Sequence, residues 1–600
     1  MRLPPPKKRP KPERAELIDP QRDWEPYAHP AAIGLLMILG ALYAAMFFGH
    51  FVFPNSDFCS FLEIGKAWIH FELPYTMKRG PIFSIITATV GLPFNRSDQY
   101  LFGAELYNAC LLPLAMVLIY LIGRKAIGNA AVWVALLCGI TPWMVRLTSE
   151  PLAELTIVTL TAATILCARS HLRWAFVFAM LTSITRWDLV AIIPAIAIVD
   201  ILQHRKWTKT ILLSAAAMIP FGIFMLITRW QLAGQPAGGA HYLQVLATDH
   251  KFELLADLNL YVQTVGSFFN AMLLQDQGGG RVIAWAGANH FVFWAGAVAI
   301  VTTFIAGTAL AIARRRWEIL TMLITAVPYV LVHSIYPYRL PRFCIPAAWM
   351  ILFICAYGAI AGWDWLDSKY KVGRFNVVAQ ILLIAILFLW LIKLLDTFSF
   401  ARRNCPAVYV LAIASCLITV AGFFVLQVLR RTKLSLAYGV MPLFLVMAVT
   451  SNAITTGFTM GDGKTDANFK TLSIWFLENA EKDDKLVTTM PGFLPIYTGL
   501  PQERFIHINS IAVKDANNFE TFVHECQKRG ITYIAWDSRL AGNRNDLYYK
   551  LWGLDRIEIL GAPFLGKKVS TIGQCQLVKV LHEGNPKIAV YRVTPATLQK

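Results

Sequence analysis

The chain has 600 residues, 56% of them hydrophobic and only 15% charged, against roughly 25% charged residues in soluble domains, so an ordinary soluble enzyme is excluded. Lys and Arg number 55 against 37 Asp and Glu, a formal net charge of +18. That excess sits in short clusters between apolar stretches, where it reports the positive-inside bias of a membrane protein and not a nucleic-acid partner.

A transmembrane helix needs about 20 mostly apolar residues, and uncharged stretches mark the candidates in chain order. Residues 1–30 read as a cytoplasmic basic tail carrying Lys7, Lys8, Arg9, Lys11 and Arg14. The first apolar stretch, Ala31 to Ser56, is too long and too far from the start to be a cleavable signal. Others follow at 105–123, 126–145, 150–168, 209–228, 288–313, 318–336, 343–363, 375–395, 407–429 and 434–458. Trp174 to Asp200 is divided by Arg186-Trp187-Asp188 and reads as one span or two. Two are needed to keep both Arg173 and Lys206 on the cytoplasmic side.

The expected architecture is a polytopic α-helical membrane protein of about 13 transmembrane helices over residues 31–460, with the N-terminus inside and the C-terminus outside. Arg402 and Arg403 then fall in an external loop, against the rule. Outer loops are expected at about 57–100 and 229–289, with a short outer turn from Tyr336 to Arg342. Phe58 to Phe71 and Ile82 to Phe94 have the amphipathic pattern of helices lying in the membrane interface.

Charge returns after Met460, and residues 461–600 read as a small exoplasmic α/β domain. Helices are predicted at Ala467 to Asn479 and Phe519 to Arg529. Strands are predicted at Lys485 to Thr489 and Ile531 to Trp536, with a terminal hairpin from Gln576 to Leu581 and Lys587 to Val593. Of the ten cysteines, Cys110, Cys138, Cys167, Cys344, Cys355 and Cys416 lie in apolar runs as small hydrophobes. Cys526 and Cys575 lie in the polar region, and the sequence leaves their pairing open.

Three constellations could carry chemistry. Asn55-Ser56-Asp57 with Glu63 and Leu73-Pro74-Tyr75-Thr76-Met77-Lys78-Arg79-Gly80-Pro81 puts an acid and two cations beside a span. An acid at a membrane surface can take a proton from a hydroxyl held against it, and the alternative is a solvated loop carboxylate. Glu150 and Glu154 are spaced to share a helix face, and a carboxylate near membrane depth needs a cavity or a partner. Glu150, next to Pro151, also suits the positive end of a helix. Tyr336-Pro-Tyr-Arg339-Leu-Pro-Arg342-Phe-Cys-Ile-Pro346 sets two guanidiniums before a span, suited to a phosphate or to lipid head groups. Arg186 and Asp188 can form an ion pair of their own. Asp462-Gly-Lys-Thr465 lacks the upstream glycine of a phosphate loop, and no His-Glu-x-x-His motif is present.

In their order these pieces resemble the GT-C-type membrane glycosyltransferases that use polyprenyl-phosphate-linked sugars, the protein mannosyltransferase and aminoarabinose transferase relatives among them. The likeness spans nearly the whole chain. It rests on the acid after the first span, the Pro-Tyr and basic-x-Pro loop, the acid opening a span at Glu150, the Thr-Arg-x-acid run at Thr185 to Asp188 and the Arg-Phe-x-x-Pro turn at Arg342. The chain departs from some relatives in having Asp57-Phe58 in place of paired acids and Gly80-Pro81 in place of Pro-Pro.

The resemblance implies Asp57 and Glu150 as catalytic residues, Asp57 activating an acceptor hydroxyl. It implies that Lys78, Arg79, Arg339 and Arg342 hold the donor phosphate. Glu63, Glu154, Arg186 and Asp188 are acceptor or structural candidates. No cofactor is demanded, though a divalent cation, Mg or Mn, is compatible with some relatives. The implied partners are a polyprenyl-phosphate sugar and a lipid, glycan or protein acceptor, with a hexose-type sugar moved at the outer face, by inversion, in a bacterial inner membrane or a lumenal compartment. A transporter or flippase of lipid-linked sugars, with charges near mid-span, and a catalytically silent scaffold of the same fold are the competing readings.

Overall fold

A computed structural model of the chain describes residues 27–74, 77, 79–204, 207–233, 290–334, 341–370, 378, 381, 384–385, 407–429, 436–460, 463, 467–508, 510–511, 519–536, 569–572, 574–583 and 588–595. Among them, six helical segments are long and apolar enough to cross a membrane, or up to seven if one bent pair counts as a span. Four shorter apolar helices accompany them. The stretch expected at 375–395 lies mostly outside the described residues, as do most of the loop at 229–289 and Arg402 and Arg403.

Helix α1 (Ala28–Met46) is shorter than its apolar stretch. The chain leaves the helix at Phe47, and Pro54 and Asn55 set up a separate helix, α2 (Ser56–Ile69), followed by α3 (Pro81–Thr89). Asp57 therefore lies on the first turn of its own helix and not at the end of the first span. The amphipathic stretches predicted as interfacial are these two helices, packed on one another.

Next come α4 (Gln99–Ile127), α5 (Ala131–Gly139), α6 (Pro142–Ser149) and α7 (Ala153–Ala168). The α6 and α7 axes are bent by 119° at the break between them. This corrects the expectation that Glu150 and Glu154 share one helix face: Glu150 caps the end of α6 and Glu154 lies in the first turn of α7. The physical reason is Pro151, which cannot donate an amide and pushes the preceding residue out of the helical region; Glu150 has ψ 84°.

The divided stretch around Arg186 forms two helices, α8 (Leu172–Thr185) and α9 (Ile192–His204), that pack together with a single turn of 3-10 helix at Trp187–Leu189 between them. Beyond lie α10 (Trp207–Ala233), α11 (His290–Ala313), α12 (Trp317–Ser334), α13 (Pro341–Tyr370), α14 (Ala407–Leu429) and α15 (Leu436–Met460). A continuous apolar core runs through α1, α4 to α7, α12, α13 and α14 and includes the fully buried Trp349, Tyr43 and Tyr120. In contrast, α10 and α14 keep large apolar side chains such as Trp230, Leu226 and Val428 exposed, which is the face that lipid would cover.

The C-terminal part is a mixed six-stranded sheet with α16 (Asn468–Asn479) and α17 (Phe519–Lys528). Its strands are β1 (Leu486–Thr488), β2 (Phe505–His507), β3 (Tyr533–Trp536), β4 (Val569–Ile572), β5 (Cys575–Glu583) and β6 (Ile588–Pro595), in the order β2-β1-β3-β6-β5-β4. β1 is parallel to β2 and β3, and the remaining pairs are antiparallel. The hairpin read from sequence is β5–β6, and β2 and β4 are further strands that the sequence reading did not include.

The sheet region is not tethered by its linker alone. Phe469, Leu472, Phe476, Phe493 and Tyr497 share a buried cluster with Phe53, just before α2, and with Phe58 and Leu62 on α2. Burying a side chain such as Phe58 contributes about 2 kcal/mol, so this docking holds the N-terminus of α2 in place. The Tyr497 hydroxyl adds a bond to the Val52 carbonyl. Cys526 and Cys575 are buried, unpaired thiols, and Cys575 Sγ donates to Gln527 Oε1 at 3.0 Å.

Candidate functional site

Four segments converge on an open cavity with about 880 Å³ of empty space: the start of α2, the loop before α3, the break between α6 and α7, and the turn between α8 and α9. The ends of α12 and α13 and one face of α10, at Phe224 and Met225, complete its wall. Every ionisable group on it lies at or near a helix terminus, where backbone donors and acceptors are left open.

Asp57 is a carboxylate lining the site. Its backbone N–H donates to Asn55 Oδ1 at 2.9 Å, an N-cap that fixes the first turn of α2, and the acid there also faces the positive end of the helix. Its Oδ1 accepts from Arg79 Nη2 and its Oδ2 accepts from Arg342 Nη2 at 2.5 Å. Both guanidiniums are largely buried, while Asp57 keeps 21% of its side chain exposed. Arg342 begins α13 behind Pro341 at the first helical position, where a proline costs no hydrogen bond.

Arg79 is fixed by its neighbour. Gly80 caps α3 and lies against the end of α8, so closely that a Cβ there would meet the Thr185 carbonyl oxygen at 2.2 Å and that of Ile184 at 2.3 Å. Only a glycine lets the loop approach this closely. Ser84 Oγ donates back to the Gly80 carbonyl at 2.9 Å and closes the turn.

Elsewhere on the cavity wall, Arg186 ties three elements together. Its Nε donates to Asp188 Oδ2 at 2.9 Å and its Nη1 to Glu154 Oε1 at 3.3 Å. His333 Nε2 lies 2.9 Å from the same Asp188 oxygen, and the guanidinium lies over the ring of Phe343, 5.0 Å from its centroid. Removed from water, such a set is tolerable only because each charge has a partner.

Glu150 is not among the residues lining the cavity. It is 6% exposed, accepting from Arg146 Nε and from Asn55 Nδ2 at 2.6 Å. Arg146 in turn donates to the Thr459 carbonyl at 2.6 Å. A chain of bonds thus runs from α15 through Arg146, Glu150 and Asn55 to the backbone of Asp57. Glu63 lies farther along α2, between Cys59 and Lys66, and also does not line the cavity. Burial pulls the Lys66 ammonium below its ordinary value, with Glu63 opposing the shift.

Of the residues singled out in the sequence, the fold therefore brings Asp57, Arg79, Glu154, Arg186 and Asp188 to one cavity, with Arg342 bonded to Asp57. Lys78 and Arg339 lie outside the described residues. His333 and the close approach of Gly80 were missed. A histidine in an apolar span was the available signal, because an ionisable side chain at membrane depth needs a reason. As a cation site the acids do not fit: both Asp57 oxygens and both Glu150 oxygens already accept hydrogen bonds, three of the four from guanidiniums that would repel a metal ion. Among the described residues no group of three His, Cys, Asp or Glu side chains is placed to hold a metal.

The fold is that of a polytopic membrane protein whose C-terminal sheet region packs on α2 of its helical part. No protein-family model matches the chain, and no curated protein does. Among solved structures it is similar to ArnT from Cupriavidus metallidurans bound to undecaprenyl phosphate, at 12% identity and TM-score 0.53, over 94% of this chain and 97% of that one. The apo state of the same ArnT gives 12% identity and TM-score 0.52 over 93% and 97%. The Archaeoglobus fulgidus oligosaccharyltransferase in its apo form follows at 12% identity and TM-score 0.47, over 88% of this chain and 72% of that one. At such identities the likeness is one of fold.

Proposed function

We propose that this protein is an integral-membrane glycosyltransferase that moves a hexose-type sugar from a polyprenyl-phosphate donor to an acceptor hydroxyl, with inversion, at the exoplasmic face. The observation that carries the reading is the triad of Asp57, Arg79 and Arg342, one carboxylate and two guanidiniums drawn together from three parts of the chain, with Asp57 and Arg79 lining a cavity between helices. The ArnT of the same fold was solved with undecaprenyl phosphate bound, which supports a lipid-linked phosphate as the ligand class.

In this mechanism the acceptor oxygen attacks the anomeric carbon while Asp57 takes its proton. The new carbon–oxygen bond forms as the bond from the anomeric carbon to the phosphate oxygen breaks, and the electron pair leaves with the phosphate. Arg79 and Arg342 stabilise the charge that develops there. Asn55, held by Glu150, keeps Asp57 oriented, which makes Glu150 a positioning residue. The ionisable groups lie at helix ends and not at mid-span, the arrangement expected of an enzyme at the membrane surface more than of a transporter.

The test is sugar transfer by detergent-purified protein from a panel of radiolabelled polyprenyl-phosphate sugars to lipid, glycan and peptide acceptors. Turnover of one donor, reduced by about a thousandfold in Asp57→Asn, is the expected result. Normal turnover in Asp57→Asn would remove Asp57 as the base. Donor binding without turnover in any acceptor mixture would favour the transporter reading.

A further inference from the structure

Asp57 holds a position that a phosphate would also take. Its carboxylate spans two guanidiniums from separate elements, accepting from Arg79 on one oxygen and from Arg342, at 2.5 Å, on the other. That planar group does not saturate the seat. Arg342 is 8% exposed, and its Nε and Nη1 are buried without a hydrogen-bond acceptor among the described residues. Each guanidinium carries five donors, and leaving a buried charged donor unmatched is costly. A tetrahedral phosphate sends oxygens in directions a carboxylate cannot reach, so it is the better occupant of this pair of cations.

We propose that in the donor-free protein the Asp57 carboxylate itself fills the donor-phosphate seat between Arg79 and Arg342, and that a polyprenyl phosphate competes with it for those two side chains. The inference rests on the glycosyltransferase reading and deepens it. While both of its oxygens accept from guanidiniums, Asp57 is poorly placed to take a proton from an acceptor. Once a lipid-linked phosphate claims Arg79 and Arg342, the carboxylate is released towards the acceptor. The base is thus unmasked by donor binding, and an acceptor hydroxyl, water included, meets no active base in the empty site. After transfer, the returning carboxylate helps to displace the phosphate product.

The consequence is that the residue required for transfer weakens donor binding. Binding of farnesyl phosphate to the purified full chain, with farnesol as the phosphate-free control, tests it directly. Asp57→Asn and Asp57→Ala should each bind farnesyl phosphate about tenfold more tightly than the unmodified protein, with farnesol binding unchanged, while Arg342→Gln binds more weakly. Melting temperature in detergent identifies any variant that has lost its fold, and either Asp57 variant suffices. Unchanged or weaker farnesyl phosphate binding in a folded Asp57 variant would overturn the inference, because the carboxylate and the phosphate would then occupy separate places or meet through a cation. Failure of the unmodified protein and all variants to bind farnesyl phosphate above farnesol would overturn the donor class itself, and this inference with it.

Discussion

Two guanidinium–carboxylate assemblies wall the same cavity, and they differ in how fully their members satisfy each other. Around Arg186, two carboxylates and a histidine close a buried network that joins α7, the α8–α9 turn and α12. Around Asp57, one partly exposed carboxylate serves two buried guanidiniums, and among the described residues Arg342 keeps unmatched donors. A closed network stabilises a packing arrangement, whereas an open one holds affinity in reserve for a ligand. The first assembly accordingly reads as scaffold and the second as site.

Arg186→Gln puts the largest strain on that contrast. It leaves Asp188 and Glu154 buried without their cation, and removing one partner of such a pair costs about 3–5 kcal/mol. The expected outcome is a clear drop in melting temperature in detergent, and a variant as stable as the unmodified protein would show that Arg186 belongs with the ligand and not with the frame. Gly80→Ala acts on the open assembly without touching a charge. Its Cβ must push the loop off the Thr185 carbonyl and displace Arg79, with transfer falling by about a hundredfold and melting temperature falling by less than in Arg186→Gln, by the cost of an overpacked contact.

Glu150→Gln tests the link between α15 and Asp57. The amide can still accept one hydrogen bond but loses the ion pair with Arg146, and kcat should fall by about tenfold with the donor KM unchanged. A shift confined to the donor KM would place Glu150 at the phosphate instead. The smallest effect is expected in the sheet region, away from either assembly. Burial pushes the Cys526 and Cys575 thiols up from their ordinary values, so both should stay unreactive towards maleimide at neutral pH in the folded chain, and the double Ser variant should retain transfer.

Much of the site was legible because charge is rare here. In a chain this apolar, Asp57, Arg79, Arg186, Asp188 and Arg342 stand out against their surroundings, and their order along the chain supports a resemblance that no single motif carries. Glu150 was legible as a residue but not in its place. Counting four residues to Glu154 suggests one helix face, whereas Pro151 turns the chain between them and sends the two acids to different partners. His333 carried the same kind of signal, an ionisable side chain in an apolar helix, but belonged to no motif.

The sequence by itself determined that the chain lives in a membrane, that α2 and α3 are amphipathic and that a sheet-bearing region follows the last span, because hydropathy and periodicity are local properties. It also marked which charges had to be accounted for. Which charges meet was decided only by tertiary structure. Asp57 and Arg342 are 285 positions apart, and no local pattern relates them. Their contact depends on α2 being fixed by the sheet region at Phe58 and on the loop at Gly80 reaching the end of α8, long-range packing that brings a carboxylate and two guanidiniums within hydrogen-bonding distance.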